Sequence, residues 1–346
     1  MLKNDKNTII FGSILLVVGI IFSFFIVKPF FSPLINSPKN APYVLFIPTG
    51  TGFDQLVALL ENDSVLVNVN YFKRVASYMG YNKEEIPSGR YLLHNKMSAR
   101  EVIGKLRSGN QDAVNVVINN VRTISDLAGK LSRYLEADSI SMLRYLSDSS
   151  ILRQYNLDIE TALTLFIPNT YQIFWNTKPE KLLERMKKEH DKFWTQERLD
   201  KLKKHGISPV EAYTLASIVE KESNYAPERP AIAGVYLNRI KQGMKLQADP
   251  TVVFATGLFD LKRVLYIHLE TDSPYNTYKY HGIPPGPIYM PSISSLEAVI
   301  NAEDHDYIFF CAQADNSGKH VFASTLKEHD KNARLFSEWL NKIGIK

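Results

Sequence analysis

The stretch "ISPVEAYTLASIVEKESNYAPER", Ile207 to Arg229, reads as a helix ending at a proline. Its start is well marked. Ser208 suits the cap, Pro209 the first turn, and Glu211 completes a capping box. Pro227 is the expected stop. Two glutamates, Glu220 and Glu222, stand one residue apart near the end. Positions three, four and seven back share a residue's helix face. For Glu222 these are Val219, Ile218 and Leu215, all large and apolar; for Glu220 they are Ser217, Ala216 and Tyr213. Glu222 thus falls in line with an apolar stripe, and Glu220 on a smaller, more mixed face. A carboxyl on an apolar stripe is costly to ionise, so its pKa should rise, as a general acid near neutral pH requires. A plainer reading stays open, in which Glu222 closes the stripe at the solvent edge and pairs with Lys221 or Arg229.

Downstream, "GMKLQADPTVVFATG" sets Gln247 and Asp249 in a loop just before Pro250. "TDSPYNTYKYHGIPPGPIYMPS" packs Tyr275, Asn276, Thr277, Tyr278 and Tyr280 among five prolines and two glycines. Tyrosine faces stack on sugar rings, and amides and hydroxyls bond sugar hydroxyls, so a stiff tyrosine-rich loop suits a glycan groove. An ordinary rigid proline loop is the alternative.

Upstream, residues 110–200 read as a strand, "AVNVVI", and then helices, with "LFIPNTYQIFW" (Leu165–Trp175) as an aromatic-rich loop. Before that, "YVLFIP" is a strand and "TGTGFDQLVALLEND" a turn and helix. "NYFKRVASYMG" is a second helix, "SGRYLLH" a strand, and "MSAREVIGKLRSG" a helix capped by Ser98 and stopped by Gly109. Strand, two helices and a strand in so short a span resemble a LysM-like module, a fold that often binds polymers rich in N-acetylglucosamine; a plain α+β spacer is the alternative. "KPFFSPLINSPKNAP", with prolines at 29, 33, 38 and 42, reads as a tether. The C-terminus closes with a strand, "YIFFCAQ", a hairpin-like turn at "NSGKH" and a final amphipathic helix.

From Thr8 to Val27, "TIIFGSILLVVGIIFSFFIV" carries no charge. Twenty helical residues span about 30 Å, the thickness of a bilayer core. No small-residue cleavage site follows, which favours an uncleaved anchor over a signal peptide. The 346 residues are 45% hydrophobic and 22% charged, with formal charge +5, as suits globular folding. That mild charge gives no ground for a nucleic-acid partner. Cys311 is the only cysteine, so disulfides and zinc fingers are excluded; the eight histidines show no ligand spacing. No metal and no organic cofactor is expected.

"ASIVEKES", "GVYLNRIKQGMKLQADPTV", "SPYNTYKYHGIPPGPI" and "HVFASTLKEHDKN" follow one another in an order that resembles the MltG (YceG-like) endolytic murein transglycosylase family. The resemblance covers nearly the whole chain. It implies an enzyme of the inner membrane facing outward, which cuts nascent peptidoglycan strands internally at the β-1,4 bond after N-acetylmuramic acid and leaves a 1,6-anhydro end. The family's catalytic residue, the second glutamate of its E-K-E motif, falls on Glu222. The pair Glu222-Ser223 also resembles the signature of soluble lytic transglycosylases. One departure is "LTLFIPNTYQ", where Asn169 stands in place of the family's aspartate.

The resulting expectation is an α+β chain: a cytoplasmic head (1–7), a transmembrane helix (8–27), a linker (28–42), a LysM-like module (43–109) and a mixed α/β catalytic region of the YceG-like type (110–346). The last has an intermediate part (110–200) and a core (201–346). The expected site is Glu222 as single acid/base, with Gln247, Asp249, Tyr275, Asn276, Thr277 and Tyr278 binding substrate. Glu220, Ser223, Asn238, Asn169 and Tyr171 support it. Peptidoglycan strands, the membrane and the peptidoglycan synthases are the expected partners, with the catalytic region extracytoplasmic. A muramidase-type hydrolase using Glu222 and Asp249, or a non-catalytic peptidoglycan-binding scaffold, are the alternatives.

Overall fold

The computed structural model describes residues 3–37, 41–261, 263–315 and 317–344. Met1 and Leu2 of the expected head, and Pro38, Lys39 and Asn40 of the expected tether, lie outside these. The chain divides into two units: residues 1–115 with 134–136 and 172–177, and residues 116–133, 137–171 and 178–346.

The first unit opens with helix α1 (Lys3–Phe22), a π-helical turn (Ser23–Val27) and a further helical turn, α2 (Lys28–Phe31). The apolar side chains of α1 are exposed. It continues through β1 (Tyr43–Ile47), α3 (Phe53–Asn62), α4 (Val69–Tyr78), β2 (Gly89–Leu93) and α5 (Ala99–Arg107). β1 and β2 pair antiparallel, with Leu45 opposite Tyr91 and Ile47 opposite Gly89. Strand alternation turns Leu45, Ile47, Tyr91 and Leu93 to one face, where Leu56, Leu60, Phe72, Val75, Val102 and Ile103 cover them. α5 starts where the sequence places it: Ser98 Oγ accepts from Glu101 N–H, and the Glu101 carboxylate accepts from Ser98 N–H at 2.7 Å. The expected tether is different in kind. It begins as helix, and Leu34 and Ile35 are buried in this unit's core, with Leu34 N–H donating to Met97 O at 2.8 Å. An apolar pair between prolines is worth more inside than in water.

The second unit is mainly helical: α6 (Ile124–Leu131), α7 (Ser139–Leu146), α8 (Ser149–Leu152), α9 (Pro179–Phe193), α10 (Gln196–His205), α11 (Pro209–Glu222), α12 (Arg229–Lys241), α13 (Asp249–Thr256), α14 (Tyr266–Leu269), α15 (Ile293–Ile300) and α16 (Leu326–Lys342). Strands β3 (Val114–Ile118) and β4 (Asn169–Ile173) make one two-stranded sheet. β5 (Phe309–Ala312) and β6 (His320–Ala323) make an antiparallel hairpin. The expected loop at 165–175 is therefore partly strand. Tyr171 and Ile173 alternate inward against exposed Asn169, Thr170 and Gln172, a period-two pattern masked by the aromatics on either side. Gly286, in the proline-rich loop, has no room for a side chain, since a Cβ there would meet Glu160 O at 2.1 Å.

α11 is the hub of this unit, packed by α10, α12, α13 and α15. Every residue from Ala212 to Val219 is buried. The apolar stripe of the sequence is thus no single face; the helix is enclosed on all sides, as its Ala, Leu, Ile and Val content permits. It also ends at Glu222, five residues before Pro227, because Ser223 turns to extended backbone.

Candidate active site

Glu222 is the last residue of α11, and its surroundings follow from how that helix stops. Ser223 Oγ accepts from Tyr225 N–H at 3.0 Å and donates to the Glu228 carboxylate. The Ser223 carbonyl accepts from Arg229 Nε at 3.3 Å and from its terminal nitrogen at 3.1 Å. Glu228 is held in turn by His320 N–H at 3.0 Å and the His320 ring at 2.7 Å. Two charged side chains and the β6 backbone thereby fix the turn that leaves Glu222 at an open end.

The Glu222 carboxylate faces a cavity of about 450 Å³, lined also by Asp249, Arg122, Lys221, Phe254 and Phe259. Tyr236, fully buried on α12, donates its hydroxyl to Glu222 Oε1 at 2.6 Å. One turn on, Arg239 donates to the Ile308 and Leu246 carbonyls, both at 2.7 Å. Asp249 opens α13 and accepts from the Tyr278 hydroxyl at 2.6 Å. Burial pushes the Glu222 pKa up to about 7; the Tyr236 hydrogen bond opposes this, the Asp249 charge adds to it, and Arg239 opposes it. Because Tyr236 bonds to and favours the ionised form, Tyr236→Phe should raise the Glu222 pKa further and move the alkaline limb of the pH–activity profile upward. An unmoved or lowered limb would show that this hydroxyl does not tune the carboxyl.

Glu220 lives in the opposite environment. Burial alone would raise its pKa, but the Ser292 hydroxyl, the Ser295 hydroxyl at 2.6 Å, the Ser292 N–H at 3.1 Å and the Arg229 guanidinium at 3.1 Å hold it below the usual carboxylate range. It ties α11 to the start of α15. Glu220 is therefore not a solvated neighbour, and Arg229 pairs with it rather than with Glu222. Lys221 is also not a partner of Glu222; its ammonium sits 3.5 Å over the Tyr289 ring. Two carboxyls with pKa values pushed apart is the pattern of divided roles.

The other expected site residues separate into groups. Asp249 lines the cavity with Glu222, and Tyr278 reaches it through Asp249. Tyr275 packs on Phe254, ring centres 4.7 Å apart, and lines an adjoining cavity of about 290 Å³ that shares Arg122 and Phe254 with the first. Asn276 and Thr277 are corrections, because both are buried and spent on the fold. Asn276 donates to the Leu269 and Thr271 carbonyls, each at 2.8 Å, while Thr277 bonds Thr251 Oγ1 at 2.8 Å and accepts from Ala248 N–H. Gln247 is exposed, adopts a positive φ of 52°, and lies off the cavity wall. Ser223 serves the turn. Asn238 ties α12 to the His305 and Tyr307 carbonyls at 2.6 and 3.0 Å. Tyr171 is a core residue bonded to Ile167 O at 2.6 Å, and Asn169 lines a separate cavity of about 280 Å³ with Asn120 and Ser292. Sequence reasoning missed Tyr236, Arg239 and Arg122. The first two stood in "GVYLNRIKQ" as polar groups three apart on an otherwise apolar helix face, which was a usable signal. Arg122 offered none.

The helical unit built round an enclosed central helix carries the Glu222 carboxyl at that helix's open end; the YceG-like family model matches residues 45–335, and the chain belongs to that family. It is 31% identical over 301 residues to the Bacillus subtilis (strain 168) protein named endolytic murein transglycosylase, covering 82% of each chain. It is 27% identical over 318 residues to the Streptococcus pneumoniae (D39) protein of the same name, covering 83% of this chain but only 57% of that longer one. A YceG-like protein from Listeria monocytogenes has a crystal structure with TM-score 0.54 and 30% identity, covering 85% of this chain and 99% of that one.

Proposed function

We propose that the chain is an endolytic lytic transglycosylase of peptidoglycan. It cleaves the β-1,4 bond between N-acetylmuramic acid and N-acetylglucosamine in nascent strands, leaves 1,6-anhydro ends and so terminates strand elongation. The observation that carries this is the Glu222 carboxyl, with its pKa raised to about 7, on the wall of an open cavity. The names of the Bacillus and Streptococcus relatives support the same substrate.

Glycosidases that add water usually need two carboxyl groups. Here the sugar's own 6-hydroxyl replaces water; it is already attached to the reacting ring, so its effective concentration is high. Protonated Glu222 gives its proton to the glycosidic oxygen, the C1–O bond breaks, and the departing sugar leaves with a 4-hydroxyl. The 6-hydroxyl oxygen then bonds to C1, and its proton passes to the Glu222 carboxylate, which restores the acid. Tyr236 holds the carboxyl in place through both steps. Asp249, held by Tyr278, faces the positive charge that develops at the ring. Its presence also supports a second reading, a muramidase-type hydrolase with Asp249 as the second carboxylate. Mass spectrometry of products from purified glycan strands separates them: anhydro ends are expected, and hydrated reducing ends alone would support the hydrolase.

The first unit is read as a LysM-like glycan-binding module on a membrane anchor. The β1–α3–α4–β2 order supports the module. The anchor is supported by one helix, Thr8–Phe31, that is long and apolar enough to cross a membrane. The catalytic region then lies outside the cytoplasm, where nascent strands and their synthases meet it. Protease added to cells with a permeabilised outer layer should degrade the bulk of the chain, and the purified protein should retain residues 8–27. Full protection, or a mature N-terminus after residue 27, would remove the anchor. Deletion of residues 43–109 should weaken strand binding or shift the cut position and leave some cleavage.

A further inference from the structure

Three cations on the cavity wall play no part in this acid–base chemistry. They are Arg122 before α6, Lys221 on α11 and Arg263 after α13. The Arg122 guanidinium lies 3.9 Å from the Phe259 ring centre, and Lys221 sits over Tyr289. Among the described residues no carboxylate forms an ion pair with any of the three. Glu220 is taken by Arg229. Asp126 faces Arg122 only through backbone, accepting from the Arg122 and Thr123 N–H groups. Burial, and after it the nearby Arg122 charge, hold the Lys221 ammonium below its ordinary pKa, against the weaker opposing pull of the Glu220 charge. Arg122 and Lys221 therefore repel each other on the cavity wall.

Two further points give the cluster a direction. A guanidinium stacked on a ring is fixed in plane, with its N–H edges left open for a carboxylate. Arg122 also stands where the two cavities join, so a group bound there lies along the cleft from Glu222. The main influences on the Glu222 pKa are burial, Tyr236, Asp249 and Arg239, so Arg122 and Lys221 are placed to hold substrate rather than to set the acid.

Sugar hydroxyls and acetamido groups are uncharged and leave three cations without counterparts. We propose that Arg122, Lys221 and Arg263 form a carboxylate-binding subsite that grips an acidic peptide substituent of the glycan next to the scissile bond. This rests on the glycan-cleaving reading above. It makes the enzyme selective for strands that still carry charged peptides.

The test uses the full chain in detergent and two substrates: peptide-bearing glycan strands, and the same strands with their carboxylates converted to amides. Wild type should lose about tenfold in kcat/KM on the amidated strands, through KM, as loss of a charge-assisted contact implies. Arg122→Gln/Lys221→Gln should fall by a similar factor on native strands and treat both substrates alike. Arg122→Lys should keep most of the preference, and the alkaline pH midpoint should not move in any of them. A wild type indifferent to amidation, or a double variant that keeps the wild-type preference, would overturn the subsite. Failure of wild type to cut either substrate would instead remove the glycan-cleaving reading, and the subsite with it.

Discussion

Glu222→Gln should abolish anhydro product while the protein stays folded. Glutamine keeps the size of the side chain and accepts the Tyr236 hydrogen bond, but it has no proton to deliver to the leaving oxygen. General acid–base catalysis is worth about 10²–10⁴-fold, and one group serves both steps of the proposed mechanism, so the loss should reach the upper end or exceed it. The wild-type activity should fall on the alkaline side around pH 7, well above the range of a free glutamate, as Glu222 loses its proton. Stability carries the same signature. A carboxyl whose folded pKa lies above its unfolded value stabilises fully below the unfolded value, and that contribution is lost as pH rises through the folded one. Wild type should therefore weaken between pH 4.5 and about 7, and Glu222→Gln should not. At pH 8 the variant should be the more stable, by about 1–3 kcal/mol. An active Glu222→Gln enzyme would end the assignment.

Glu220→Ala should act through stability instead. It strands the buried Arg229 guanidinium and leaves the Ser292 and Ser295 donors without their acceptor. Removing one partner of such a pair costs about 3–5 kcal/mol, which lowers the melting temperature by roughly 6–20 °C for a unit of this size. Glu220→Gln keeps part of the hydrogen bonding and should cost less. At low temperature, where the variants are folded, both should keep turnover within a small factor of wild type. A Glu220→Gln protein with native stability and no activity, beside an active Glu222→Gln, would exchange the two roles.

Local chemistry was legible in the chain and contacts between elements were not. The Ser208–Glu211 capping box, the α5 start at Ser98 and the strands of the first unit depend on residues within four of one another, or on strict alternation. The end of α11 does not. Pro227 marks the last place that helix can reach, whereas Arg229, by binding the Ser223 carbonyl, stops it sooner. Residue type alone makes Asn276 and Thr277 candidate sugar ligands, but it says nothing about which way a side chain faces. Tyr236 and Glu222 meet only because α11 and α12 pack together. Prolines surround Leu34 and Ile35 in the sequence, and their partners lie far along the chain: both N–H groups donate to Met97 O, and Ile35 bridges to Leu66. The stripe argument singled out Glu222 on grounds that the enclosed α11 largely removes. What distinguishes Glu222 from Glu220 is its partners: one hydroxyl and a nearby carboxylate, against an arginine and two serines.

The stop at Ser223 has an electrical consequence. Peptide dipoles of α11 add along its length, and its C-terminal end carries a partial negative charge of about half an electron from unpaired carbonyls. A carboxylate in that last turn is opposed by the field, so the helix itself favours the form that carries a proton. The same field favours positive charge just beyond the helix end, where the proposed mechanism places the sugar ring that becomes cationic as its bond breaks. One dipole would thus help to hold the proton before cleavage and to steady the cation during it. Extending α11 by a turn toward Pro227 would carry that pole past Glu222 and take away both effects, with every side chain of the site still present.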